Sequence, residues 1–175
     1  MVTMTEFEFI FVVDGVSVDD DRAMTILAGE FDGVLSASHG RTRYAASGTG
    51  TDGVNAAARL VSRLSTALPA LRVLHVDPDL VGISDIAQRT GRSRQNILQW
   101  ATGERNGNRP FPAPEGTVGR SLAWRWADVN DWLTPLGLGD GATRPTRAEV
   151  TLIDAMLLGE VERASSLREV MLASR

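Results

Sequence analysis

The chain of 175 residues contains no cysteine, no lysine, one tyrosine and two histidines. The missing cysteine removes disulfides, thiolate metal sites and thiol nucleophiles together. The missing lysine removes the amine nucleophile. All 18 basic residues are therefore arginine, a bias that most simply reflects GC-rich coding and says little about function. No apolar run approaches the ~18 residues needed to cross a bilayer. The N-terminus has neither a basic stretch nor a small-residue cleavage site, so no signal peptide is expected and a cytoplasmic location is. The chain is 43% hydrophobic, enough to build one large or two small globular domains.

A net charge of −4 argues against a general polyanion binder, but the charge is unevenly spread. Residues 1–77 carry six arginines against ten acids, residues 78–125 seven against four, and residues 126–175 five against eight. One basic segment thus lies between two acidic ones, and it is the segment to search for an anionic partner.

The first 78 residues read as an α+β domain. Glu6–Val13 alternates and is rich in β-branched and aromatic residues, hence a strand. Ser17 is placed to cap a helix over Val18–Phe31, with Asp19, Asp20 and Asp21 favourable in its first turn. Gly33–Ser38 and Arg41–Ser47 read as strands joined by a hairpin turn at His39-Gly40. Asp52 opens a helix that Pro69 stops, and Leu71–Val76 is a last strand. The order strand-helix-strand-strand-helix-strand is the split βαβ, ferredoxin-like pattern. Residues 79–134 form a second unit of two short helices, a Pro/Gly/Arg-rich stretch, a strand and a third helix. Residues 135–145 read as a Gly/Pro-rich linker. Residues 146–175 read as a C-terminal helical segment opened by a Thr146/Glu149 capping box. Its stripe Val150, Ile153, Leu157, Val161 and Ala164 serves either self-association or packing on its own chain, and Gly159 is a point where the helix could break.

Within the second unit, Ile83–Gly103 reads ISDIAQRTGRSRQNILQWATG. Ile86 and the small Ala87 suit a short helix crossed closely by another. Gly91 falls where the chain must reverse. Ser93 is the N-cap of a second helix over 93–102. Ile97 and Trp100, three apart, turn inward, which leaves Arg94, Gln95, Asn96 and Gln99 outside. Those side chains pair with base edges: arginine with guanine, Asn and Gln with adenine. Arg92 stands where an apolar residue is usual after the turn glycine. Beyond the helix, Arg105 to Pro110 is a basic, turn-rich loop and Phe111-Pro112-Ala113-Pro114 is extended. Ser121–Trp126 reads as a strand with Leu122, Trp124 and Trp126 on one face and Arg125 on the other. Ala127–Leu133 is a helix with Val129, Trp132 and Leu133 together. All four tryptophans lie between positions 100 and 132, which reads as the core of a small domain rather than as base-stacking residues.

Other signals carry less. Gly48 to Gly53 matches G-x-G-x-x-G, but the preceding strand alternates, whereas a dinucleotide fold needs a strand buried on both faces. His39 and His75 have no metal-ligand spacing, and the three consecutive aspartates are explained as helix N-terminal charge. No catalytic residue, metal ligand or cofactor site is assigned, and the chain is not expected to be an enzyme.

Residues 80–133 resemble the winged helix-turn-helix of AlpA/excisionase-type and MerR-like regulators. The likeness rests on ISDIAQRTGRSRQNILQW, FPAP and WRWADVNDWL in that order and covers about a third of the chain. The whole chain also resembles actinobacterial regulators, themselves without an assigned target, that join an N-terminal α+β domain to such a module. The resemblance implies that Arg94, Gln95, Asn96 and Gln99 read the major groove. It implies that Arg105, Arg109 and Arg120 touch phosphates from a wing over 105–120; Ser93 and Arg92, at the start of the second helix, are expected beside the DNA as well. The spacing of the apolar residues puts Ile86, Ala87, Ile97, Trp100, Trp124, Trp126, Val129 and Trp132 in the core of this unit. The long coiled coil and the metal-binding cysteines of MerR-type sensors are absent.

The expectation is an α+β chain: a ferredoxin-like βαββαβ domain, a winged helix-turn-helix and a C-terminal helix. Its partner would be double-stranded DNA at the nucleoid, bound as a homodimer, with a small-molecule or protein effector open. Two other roles stand beside transcriptional regulation. One is an excisionase-like architectural factor or the antitoxin or regulator of a mobile-element operon. The other is a protein-interaction module that binds no DNA.

Overall fold

The computed structural model describes residues 3–105 and 108–173. The chain is α+β, with six α-helices and two antiparallel sheets among those residues. It divides into two units. One comprises Met1–Asp77 together with Thr143–Arg175, and the other comprises Pro78–Ala142. No helix among the described residues is long and apolar enough to cross a membrane.

The first unit begins with β1 (Thr5–Asp14), α1 (Asp21–Phe31), β2 (Val34–Ser38), β3 (Arg41–Gly50), α2 (Gly53–Ala67) and β4 (Arg72–Val76). Its sheet runs β2-β3-β1-β4, every neighbour antiparallel. Alternation in β1 turns Phe7, Phe9, Phe11 and Val13 into the core, against Leu27 of α1 and Leu60 and Leu64 of α2. The helix caps decide where each helix starts. Asp52 Oδ1 accepts from Asn55 N–H at 2.8 Å, as expected. Helix α1 starts later than expected, because Asp20 Oδ1 accepts from Ala23 N–H at 3.0 Å. Ser17 instead shapes the preceding turn, its Oγ accepting from Asp19 N–H at 3.2 Å.

The C-terminal segment belongs to this unit. Helix α6 (Arg147–Ala173) lays Ile153 and Leu157 into the same core, and Asp154 Oδ1 accepts from Val76 N–H of β4 at 2.8 Å. Where β4 leaves the first half of β1 unpaired, Glu8 N–H donates to the Thr143 carbonyl at 2.8 Å. Packing on its own chain is thus what the first part of the stripe does, while the side chains of Val161 and Ala164 lie outside the described residues. Helix α6 runs unbroken through Gly159, since one glycine costs only about 1 kcal/mol within a helix anchored by a buried face.

Glu149 joins two helix starts. Its Oε2 accepts from the N–H and the hydroxyl of Thr146 at 2.8 Å each, the expected capping box. Its Oε1 accepts from the N–H of Gly53, the first residue of α2, at 2.7 Å. The G-x-G-x-x-G stretch therefore has its helix N-terminus occupied by the chain's own carboxylate. Its glycines have a packing reason as well: a Cβ on Gly50 would lie 2.4 Å from Ala56 N.

The second unit contains β5 (Leu80–Val81), α3 (Ile83–Thr90), α4 (Arg94–Ala101), β6 (Gly116–Val118), β7 (Ser121–Arg125) and α5 (Trp126–Leu133). Its sheet runs β5-β7-β6. Strands β5 and β6, of two and three residues, are too short to show a period and were not expected. Trp126 opens α5 instead of ending the strand, with its N–H donating to the Asp79 carbonyl at 3.0 Å. Leu122, paired with Thr117 in the β6–β7 hairpin, is exposed, and Arg125, expected to point outward, is buried at the start of α5 beside Asp128 at 3.9 Å. The expected linker is not free either. Leu138 packs on the second unit's core and Asp140 Oδ2 accepts from Trp126 Nε1 at 2.9 Å, so the boundary falls at Ala142.

The Glu149 bridge has a pH signature. Partial burial pushes this carboxyl up, but the hydrogen bonds from Thr146 and Gly53 outweigh that and hold it below its ordinary value of 4.5. A depressed folded-state value stabilises the fold fully above 4.5, and the benefit is lost as pH falls through the lower folded value. Glu149→Gln should cost about 1 kcal/mol at neutral pH, discounted for partial exposure. In urea unfolding followed across the acid range, the gap between variant and parent should narrow as pH falls below 4.5. A gap constant over that range would remove the charge from the explanation.

Candidate nucleic-acid interface

Helices α3 and α4 are joined by Gly91, Arg92 and Ser93, and each junction has a local cause. Helix α3 starts with the Asp85 carboxylate accepting from Gly82 N–H at 2.8 Å. It ends in a Schellman closure: Gly91, at φ +65°, donates its N–H to Gln88 O at 3.4 Å, and Arg92 N–H donates to Ala87 O at 3.0 Å. Glycine takes that left-handed conformation at little cost. Ser93 Oγ then accepts from Asn96 N–H at 3.2 Å and starts α4. Ile86, Ala87, Ile97 and Trp100 are buried between the two helices.

With about 3.6 residues per turn, the direction opposite Ile97 and Trp100 is taken by Gln95, Leu98, Gln99 and Thr102, with Arg94 and Asn96 on the flanks. Arg92, Arg94 and Gln95 are exposed, and Asn96 and Gln99 are half-buried. The chain leaving α4 stays beside it. Arg105 N–H donates to Gln99 O at 3.2 Å, and the Arg105 guanidinium lies 3.5 Å from Asn96 Oδ1. The fold thus gathers Arg92, Arg94, Gln95, Asn96, Gln99 and Arg105 around one helix.

The expected wing is smaller than 105–120. The β6–β7 hairpin turns at Gly119-Arg120, and of the three expected phosphate-contacting arginines only exposed Arg120 sits on it. Arg109 is half-buried, its guanidinium carbon 5.7 Å from the Trp132 ring centroid and its Nη2 3.3 Å from the Asp131 carbonyl. Residues 106 and 107 of the basic loop lie outside the described residues.

All four tryptophans are buried, together with Val129. The Phe111 ring stands edge-on to Trp124 and Trp132, with centroids 5.7 and 5.0 Å away, and Trp100 packs on Trp132 at 5.3 Å. Three indole N–H groups have partners: Trp124 donates to Pro112 O at 2.9 Å, Trp126 to Asp140 at 2.9 Å and Trp132 to Arg109 O at 3.3 Å. On the α3 side, Arg89 makes two hydrogen bonds to Asp79, at 2.7 and 2.8 Å, and lies over the Trp126 ring at 4.7 Å. The bond to Asp79 leads in holding this guanidinium above its ordinary value.

These contacts sort the charges. Across Pro78–Ala142, seven arginines meet seven acids, so the unit as folded has no net charge. Arg89 and Arg125 are engaged with Asp79 and Asp128. From Gly91 to Pro110, by contrast, four arginines meet only Glu104. The positive field belongs to α4 and the loop after it.

Leu98 of α4 and Thr102 at its C-cap face outward as well and were not among the expected contact residues. Fixing Ile97 and Trp100 inward already determines both by helical spacing, but a search for polar readers does not look for a leucine. No group of three or more histidine, aspartate or glutamate side chains able to hold a metal is found among the described residues. No family model, curated protein or solved structure matches this chain.

Trp132 meets Trp100, Phe111 and the Arg109 backbone, so it ties α4, the extended loop and α5 together. Trp132→Ala should destabilise the second unit by about 3–5 kcal/mol in denaturant unfolding. A variant as stable as the parent would show that the aromatic cluster does not carry this unit.

Proposed function

We propose that the second unit binds double-stranded DNA in a sequence-directed way, as the operator-reading part of a transcriptional regulator. Helix α4 enters the major groove with Arg94, Gln95, Asn96 and Gln99 toward base edges. Arg92, Arg105 and Arg120 neutralise phosphates around it. The observation that carries the reading is the pair α3–α4. Its turn is closed by Gly91, its second helix is capped by Ser93 and locked by Ile97 and Trp100, and its polar side is left outward amid local positive charge. The β6–β7 hairpin supports reading this unit as a winged helix-turn-helix. The order β2-β3-β1-β4 with two helices on one face supports reading the first unit as ferredoxin-like. A homodimer follows from the size of the module, which alone spans few base pairs. The chain's role is binding, with no catalytic step.

The zero net charge of the second unit favours one competing reading, a protein-interaction module that has left DNA. A salt titration separates the two. Selection from a random duplex pool should recover one site, whose log–log salt slope is about −0.9 per phosphate contact. Arg105→Ala should reduce that slope by about one contact and weaken all sequences alike. Arg94→Ala should cost about 1–3 kcal/mol at one base position and relax preference there. Failure to bind any duplex at low salt would leave the protein-interaction reading in its place.

A further inference from the structure

We propose that Leu98 is a specificity-determining residue that packs on the C5-methyl group of a thymine, so that the recognised site contains an A·T pair facing the middle of α4. This rests on the DNA-binding reading of the second unit. Leu98 is 52% exposed, and among the described residues it is the only large hydrophobic side chain of α3 and α4 left exposed. Ile86, Ile97 and Trp100 all point into the core, and Leu98 lies about 100° around the helix from Ile97 and about 160° from Trp100. It is bordered by Arg94 and Gln95 one turn before, Gln99 beside it and Thr102 one turn after. An isobutyl group thus sits within a ring of hydrogen-bonding side chains.

The chemistry of the major groove allows one partner for such a group. Guanine shows N7 and O6, cytosine an amino group, and adenine N7 and an amino group; thymine alone adds a methyl to its O4. Against a phosphate or an amino edge a leucine would strip water from a polar group and offer it no hydrogen bond in return, which costs free energy. Against a thymine methyl it buries apolar surface on both sides. The adenine of that pair presents N6 and N7 in the same groove, and Gln95 and Gln99 carry the amide that matches them. Leucine and glutamine together therefore specify both edges of one A·T pair.

The test uses the full chain and duplexes it recovers from a randomised pool. Each thymine is replaced in turn by deoxyuridine, which removes only the methyl. At one thymine the parent should lose about 4-fold in affinity, the value of one buried methyl-sized group. Leu98→Ala, at an exposed position and with an unchanged circular dichroism spectrum, should bind the thymine and deoxyuridine duplexes equally at that position. A parent indifferent to every deoxyuridine substitution overturns the inference while leaving DNA binding intact. So does a Leu98→Ala variant that keeps the same dependence as the parent. Recovery of no duplex at all overturns the DNA reading itself, and this inference with it.

Discussion

Phe111 holds the second unit together from the middle of a loop. Among the described residues of this 65-residue unit, no helix is longer than eight residues and no strand longer than five, so its regular elements cannot supply rigidity by length. What they lack, aromatic contact provides. Phe111 meets Trp124 of β7 and Trp132 of α5, Trp132 meets Trp100 of α4, and the prolines beside Phe111 keep its segment extended. Aromatic pairs of this kind add about 0.5–1.5 kcal/mol beyond the area they bury. The indole N–H groups of Trp124 and Trp132 return to backbone carbonyls of the same segment, Pro112 and Arg109. A stretch without regular structure is thereby as fixed as a strand. The outer face of α4 can be aimed only because its inner face rests on this cluster.

The same compactness governs charge. Summed over the folded unit, acids and arginines cancel, yet five of the seven acids lie beside β5, at the α3 start, on α5 and in the loop beyond it, and only Glu104 lies among the arginines next to α4. Asp79 holds Arg89, Asp85 holds the start of α3, and Asp140 holds Trp126. The arginines next to α4 meet little opposition. A unit of zero net charge can still present a positive surface when its anions are spent on structure. The salt dependence of any contact there is set by local neighbours within about a Debye length, ~8–10 Å, and not by the total.

Much of the fold was legible wherever one residue decides a local geometry. Asp52, Gly91, Ser93 and the Thr146/Glu149 pair each mark a helix end through a hydrogen bond or a dihedral that few other residues satisfy, and each of those ends was placed closely. The phenylalanines of β1 alternate and gave that strand away. Illegibility begins where tertiary contact decides. Ser17, Asp19 and Asp20 are all competent caps, and only packing of α1 selects Asp20. Strands of two and three residues have no period. Arg125 is buried at the junction where the chain turns into α5, one residue earlier than the alternation of SLAWRW suggests. For the candidate site, the polar residues of α4 were readable from the i, i+3 spacing of Ile97 and Trp100. The charge balance depended on a boundary at Ala142, late in the Gly/Pro-rich stretch 135–145, and Leu98 was hidden by its ordinary chemistry.

That boundary makes the first unit discontinuous in sequence, which matters during synthesis. Its sheet and first two helices emerge from the ribosome before residue 78, yet the edge of β4 and the N-terminus of α2 still await Asp154 and Glu149. Both arrive only after the entire intervening unit has been made. For an interval of roughly 3–15 seconds, at ~5–20 residues per second, a nascent chain carries a four-stranded sheet with an open edge and an unfilled core position while the aromatic unit folds downstream. The sheet must be stable enough to wait, or a chaperone must shield that edge. The order in which the halves become resistant to proteolysis is therefore written into where the chain returns, at Thr143.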